Sequence, residues 1–245
     1  MTTPNTVNAT NTTMSNTEAA TTIPESQRYF GAASGFLFVV IWIASLLLPN
    51  RLAPVGVPFP NPITSTSEQI LSYYAHAQTA GLVASMLQLL STLPLLGFTA
   101  YVVVVVRRAV GSASILPWLT FGGGILAAGF LALSSLLTWV LTQPGTVERS
   151  DLVRAFYEFI FITGGTAHVA LLAVFTGAAS IAAWQTRFLP NWIVWVGFVA
   201  AGIALLSLVT IVWLPASVFI LAGRILVFVW ALAVSFTALR KSQQA

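Results

Sequence analysis

The sequence predicts an all-α, polytopic membrane bundle of six transmembrane helices with both termini on the cytoplasmic side. Three observations predict it. The 245-residue chain is 57% hydrophobic and 7% charged, with a mean hydropathy of +0.89. Soluble domains carry roughly 25% charged residues, so this chain cannot clothe a water-facing surface and lipid must cover most of it. Second, apolar segments near 29–49, 79–106, 116–142, 155–184, 191–214 and 217–239 are long enough to cross a hydrocarbon core as helices, which takes about 20 residues. Third, the basic residues sort by side. Arg28, Arg107, Arg108, Arg187, Arg240 and Lys241 flank one set of span ends, against Arg51, Arg149 and Arg154 on the other, where Glu68, Glu148, Asp151 and Glu158 also lie. Counting Lys and Arg alone places the first set in the cytoplasm.

The same composition excludes several function classes. The pI near 10 comes from ten basic residues scattered along the chain, with no patch for nucleic acid. The absence of cysteine removes disulfides, thiol nucleophiles, zinc thiolates and iron–sulfur ligation. Residues 1–27 are rich in Thr and Asn, fit no secretory signal and are expected to be a disordered polar tail. The transmembrane domain is placed at 28–241, followed by a short tail, 242–245.

Each span carries its own local signals. Tyr29, Trp118, Trp139, Trp184, Trp192 and Trp213 fall near span ends, where amphipathic rings anchor at the headgroups. The first span carries Gly31-xxx-Gly35; the third, Gly122-Gly-Gly124 and Gly129; the fourth, Gly164-Gly165 and Ala173-xxx-Gly177; the fifth, Gly197-xxx-Ala201. Small residues at that spacing let helices approach closely, either within the bundle or between copies of the chain. In the second span Pro94 is expected to kink the helix, its freed Leu90 carbonyl being met by Ser91 or Thr92.

The stretch 49–69 holds five prolines, and the loop closes with Ser65-Thr-Ser-Glu68, which reads as a capping box. SEQILSYY before the second span and SDLVRAFY before the fourth share a pattern of serine, acid, β-branched residue and paired aromatics. Either an internal repeat or two independent helix starts would produce it.

Arg224 is the unusual residue. The stretch from Ser217 to Val234 spans a membrane by hydropathy, yet holds this permanent cation. Starting the last helix after it would leave a segment too short to cross. Arg224 precedes Arg240 by 16 residues, about 24 Å of helix. Gln88 precedes Arg107, and His168 precedes Arg187, by 19 residues each, about 28 Å. Three helices running the same way thus place a hydrogen-bonding side chain in one outer-leaflet layer. Gln88 shares a helix face with Gly81, Ser85, Thr92 and Thr99; Arg224 shares one with Ser217, Ala231, Ser235 and Ala238.

Two readings follow. Arg224, His168 and Gln88 line an outward pocket whose guanidinium fork suits a small anion. Alternatively, Arg224 snorkels to headgroups while Gln88 and His168 make ordinary interhelical hydrogen bonds. Glu158 is the nearest acid by sequence, but lies ten residues outward of His168, about 15 Å along the helix. A bis-histidine haem between His76 and His168 is disfavoured, because His76 lies at or above the outer interface and off the Gln88 stripe. No metal-ligand pair or nucleophile–base motif appears, and Lys241, the sole lysine, lies outside the spans. No cofactor is expected, and a membrane-embedded enzyme is the third and weakest functional expectation.

The run from SEQILSYYA to YVVVVVRRA, with the later FLPNWIVWVGF, resembles a large group of multi-span actinobacterial membrane proteins that have no assigned activity. Its marks are an acid-capped helix ending in Tyr73-Tyr74-Ala75 and Pro190-Asn191-Trp192 opening the fifth span. The resemblance covers most of residues 29–240. It implies six helices and a bacterial cell membrane, and carries over no catalytic residue. Lipid is the expected surroundings. The leading functional expectation is an accessory or assembly subunit binding membrane-protein partners; the second is a small-solute permease or ligand-binding membrane protein that takes a small anionic ligand.

Overall fold

A computed structural model describes residues 24–57, 59–147 and 149–242. The Asn/Thr-rich tail through residue 23, Pro58, Glu148 and residues 243–245 lie outside the described residues. Helices α1 (Glu25–Leu52), α3 (Gln78–Val110) and α4 (Leu116–Leu141) are each long and apolar enough to cross a bilayer. The fourth span joins α5 (Ser150–Ile160), a π-helical segment Phe161–Ala167 and α6 (His168–Thr186). The fifth is α7 (Asn191–Leu206) ending in a 3₁₀ turn, Ser207–Ile211; the sixth opens on a second 3₁₀ turn, Leu214–Ser217, and continues as α8 (Val218–Ser242). Six crossings result, and no strand occurs among the described residues.

Neighbours in sequence are neighbours in space. The spans form a closed ring in which α1 packs on α3, α3 on α4, α4 on α6, α6 on α7, α7 on α8 and α8 back on α1. The α6 helix also touches α3 and α8 across the ring. Accordingly the fourth span is 61% buried, against 39–44% for the other five, and is the central one. Its composition permits this: Ala170, Ala173, Ala178, Ala179, Ala182 and Ala183 bring neighbouring backbones close. Gly111, at φ 82° and ψ 170°, ends α3 in a positive-φ conformation open to glycine, and Arg187, at φ 55°, takes the left-handed conformation after α6.

Aromatic edges fill the middle of the ring. Phe98, Phe175 and Trp230 form a T-shaped triangle with centroids 5.7–6.2 Å apart, and Phe228 bridges Phe38 and Trp42. The glycines set the distances. A methyl at Gly31 would overlap the Tyr101 ring, one at Gly35 would meet Ser235 and Phe98, and one at Gly177 would stand 3.4 Å from Ala201. Ala173 is buried in a cluster with Ala201, Ala204 and Ile220. Gly122 and Gly129 face open space.

Both ends of the described chain lie at one end of the bundle, here the terminal end. The opposite, distal end is capped by α2 (Ser67–His76) lying against α5. The capping box opening α2 is one residue later than expected. Thr66 Oγ1 accepts from the Gln69 amide, and the Gln69 side chain accepts from the Thr66 amide. Ser65 is already engaged by the Asn61 amide, so the next hydroxyl caps. At α5 the N-cap residue is Arg149, which makes no side-chain capping bond, so SEQILSYY and SDLVRAFY are not two equivalent caps. They do meet: Ile70, Tyr73 and Tyr74 pack with Val153 and Tyr157. Burial pushes the Tyr73 and Tyr74 phenols above their ordinary pKa.

Pro94 leaves α3 helical throughout. The flanking hydroxyls do not serve the Leu90 carbonyl: Ser91 donates to Gln88 O at 2.6 Å and Thr92 to Leu89 O at 2.7 Å. Each reaches back three residues along its own turn, and those carbonyls lie within that reach.

The proline loop is tied down by Tyr157, whose hydroxyl donates to the Pro60 carbonyl at 2.5 Å, and by Arg154 Nη1, which donates to Ser65 O at 3.1 Å. Tyr157→Phe is expected to cost about 1 kcal/mol, the usual net value of one such bond. The change should appear as faster proteolysis within residues 53–66 of detergent-solubilised protein, with the spans still protected.

Candidate functional site

Arg224 is buried, only 9% exposed, on the inward face of α8 with Ala231, Ser235 and Ala238. One guanidinium Nη donates to the Gly164 carbonyl in the π-helical segment. The guanidinium also lies over the Trp42 ring of α1, its carbon 4.7 Å from the ring centroid. The arginine therefore faces protein and does not snorkel. Trp42 is placed for this by the Gly31, Gly35 and Phe38 stripe, which turns one face of α1 inward.

Magnitudes show how the bundle tolerates the charge. Insertion scales assign a mid-helix arginine about 2.5–3.5 kcal/mol. A desolvated cation–π contact returns about 2 kcal/mol. A hydrogen bond from a charged donor returns roughly 1.5–3 kcal/mol. These offset one another, so Arg224 is accommodated at little net cost.

The π-helical segment supplies the acceptor. Widening the helix over Phe161–Ala167 disturbs the i→i−4 ladder, and such segments concentrate at functional positions. Ser134 of α4 donates to Ile160 O at 3.2 Å, just before it. Gly164 permits that approach, since a methyl there would overlap Ser134; Gln88 Nε2 lies 3.9 Å from the same point. Gly165 faces Ile220 of α8. Thus Arg224 bonds the Gly164 carbonyl, and the Gln88 amide lies beside the same residue. His168, fully buried, stands one turn further along, its Nδ1 2.8 Å from the Ala127 carbonyl of α4. Its Nε2 has no partner, nor has Arg224 Nε.

Glu158 is not brought to this layer. Its carboxylate pairs with Arg154 Nε at 2.6 Å on the exposed side of α5. The ten-residue offset from His168 is kept because the fourth span runs on as helix and does not fold back. His76 is exposed and within 2.9 Å of the Ser72 carbonyl, far from His168's buried setting. Among the described residues no three His, Asp or Glu side chains gather as a metal site.

Above the layer, a distal cleft of about 320 Å³ is lined by Arg154, Glu158, Phe161, Thr166 and Thr210 among others. The Thr166 and Thr210 hydroxyls are buried without protein partners. Thr166 belongs to the π-helical segment that Arg224 holds, so one segment forms both the wall of the cleft and the anchor of the arginine. Phe161 packs against the cluster that holds Ile220.

Trp42, Ser134, the Ala127 carbonyl and the π-helical segment escaped the sequence reading. Trp42 did leave a signal: like Trp230, it lies mid-span, away from the interfacial belts. The geometry defines a multi-pass helical membrane protein with a buried cationic layer beneath a cleft. No family model, curated protein or solved structure matches the chain, so its function is argued from its own residues.

Proposed function

We propose that the protein is a permease-type binding protein for a small anionic solute, which enters the distal cleft and is recognised by Arg224. The observation that carries this reading is a buried guanidinium anchored at one nitrogen only. It meets no carboxylate, since the one ion pair among the described residues, apart from contacts of Glu25 and Arg28, joins Arg154 to Glu158. A buried cation is stabilised most by an anion with which it can form charge-assisted bonds. The Thr166 and Thr210 hydroxyls in the wall of the cleft, and His168 Nε2 in the bundle interior, add polar atoms without protein partners. The distribution of Lys and Arg supports a cleft that opens outward with cytoplasmic termini. The resemblance to actinobacterial membrane proteins supports a bacterial cell membrane.

The accessory-subunit reading, which the scarce charge and the absence of a catalytic motif also fit, has less support: the small-residue faces it would offer a partner are used inside the bundle, where Gly31, Gly35, Gly164, Gly165 and Gly177 all meet neighbours. What faces outward is large and apolar, as lipid requires: Leu37, Val40, Leu47, Leu93 and Leu126.

The test is thermal unfolding of the detergent-solubilised chain against chloride, phosphate, acetate, lactate and succinate. A ligand at a hundredfold excess over its Kd stabilises by about 2.7 kcal/mol. At least one anion is expected to raise the unfolding temperature by several degrees, and Arg224→Met should abolish the shift. An equal shift in Arg224→Met, or none with any anion, overturns the reading.

A further inference from the structure

A second cleft, of about 330 Å³, lies at the terminal end between α1, α3, α8 and the α6–α7 connection. Two arginines stand on it: Arg28, half-buried at the start of α1, and Arg108, exposed at the end of α3. Its remaining lining is mainly apolar, including Val102, Val105, Trp230 and Val234. These residues are sorted by depth. Val102 lies six residues before Arg108, about 9 Å further into the span, and Trp230 lies ten before Arg240, about 15 Å in.

That sorting specifies the ligand. A soluble anion would use the guanidinium groups and leave the deeper walls without a partner. An amphiphile with an anionic head uses both. Its phosphate sits at the level of Arg28 and Arg108, and its upper chain lies along valines on α3 and α8. Basic pockets between helices on the cytoplasmic side bind anionic headgroups in this way. Gly31 keeps the cleft open: the Tyr101 ring, which lines it, lies where a Cβ at residue 31 would stand.

We infer that this cleft is a binding site for one anionic glycerophospholipid of the leaflet at the terminal end. The site is separate from the Arg224 layer and does not depend on the solute reading.

Native mass spectrometry of the full chain tests it, with phosphatidylglycerol and phosphatidylcholine of identical acyl chains supplied in equal amounts. Each arginine near a membrane surface contributes about fivefold to anionic-lipid affinity, so a preference of roughly 25-fold for one retained phosphatidylglycerol is expected. Arg28→Gln with Arg108→Gln should erase the preference. Arg107→Gln should keep it, because Arg107 lines a different groove, with Val103, Ser112 and Trp118. Val105→Trp, with both arginines intact, should expel the lipid by filling the chain-binding wall. Equal retention of the two lipids, persistence of the preference in the double variant, or an equal loss in Arg107→Gln would overturn the inference. So would glycerol 3-phosphate binding as tightly as the lipid, which would assign the arginines to a soluble phosphate.

Discussion

Arg224→Ala is expected to lower the unfolding free energy by about 2–4 kcal/mol, whereas Arg224→Met should change it by less than about 1 kcal/mol. The alanine variant gives up the stack on Trp42 and the bond to Gly164, and leaves a space the size of the lost side chain. Large-to-alanine changes in packed interiors cost about 2–5 kcal/mol, moderated here by relief of the buried charge. Methionine fills most of that space and removes the charge altogether. Replacing buried ionic groups by apolar ones of similar volume is often neutral. Denaturant unfolding in mild detergent, followed by tryptophan fluorescence, separates the two. If methionine proved as damaging as alanine, the guanidinium itself would be holding the fourth and sixth spans together. Lysine cannot replace it, because an ammonium lacks the planar fork that bonds Gly164 while lying over an indole.

The second large effect contrasts adjacent residues. Gly123→Val is expected to cost about 3 kcal/mol or to prevent folding, and Gly122→Val to be nearly silent. A Cβ at residue 123 would lie 2.6 Å from the Phe175 backbone nitrogen and 3.0 Å from the Leu171 carbonyl oxygen. Backbone atoms of α6 cannot swing aside as a side-chain terminus can, so α4 and α6 would have to separate. At residue 122 nothing stands within 4 Å. Thermal unfolding of the two variants side by side measures the difference. Similar losses would show that helix propensity, not the α4–α6 approach, governs both positions.

That contrast also shows what could be read from the sequence. The six spans are sums over about 20 residues each, and such sums survive local ambiguity. Which glycine in Gly122-Gly-Gly124 touches a neighbour depends on a rotation about the helix axis. In α4 only Thr120, Ser134, Ser135 and Thr138 mark that rotation, all of them buried, and the other positions are apolar whichever way they face. Leu93 is 62% exposed and Leu95 fully buried, yet both are leucine in the same span. Where polar residues interrupt the pattern, the rotation becomes legible: Gly81, Ser85, Thr92 and Thr99 are all buried, with Gln88 half-buried among them.

The candidate site was legible by depth and illegible by partner. Counting residues from the basic span ends put Arg224, Gln88 and His168 in one layer, and the structure brings the first two to Gly164 with His168 one turn away. The partners they use are largely backbone carbonyls, which every residue possesses and no sequence pattern marks. The Arg224–Trp42 contact joins the first span to the last, a closure that arises only when the ring forms.

The seven-residue segment Phe161–Ala167 has one more consequence. An α-helix is a screw that advances about 100° per residue, so two distant side chains on it share a fixed phase. Here the distal half is phased by Val153 and Tyr157 against α2, and the other half by His168 against Ala127. The wider segment is where the screw changes pitch between those two demands. The wider turn absorbs about one extra residue, so deleting one within it would give back a uniform screw with both halves still in phase, at the loss of the widened turn that meets Arg224. The fourth span thereby holds a place where its length can change by a residue without re-phasing either half.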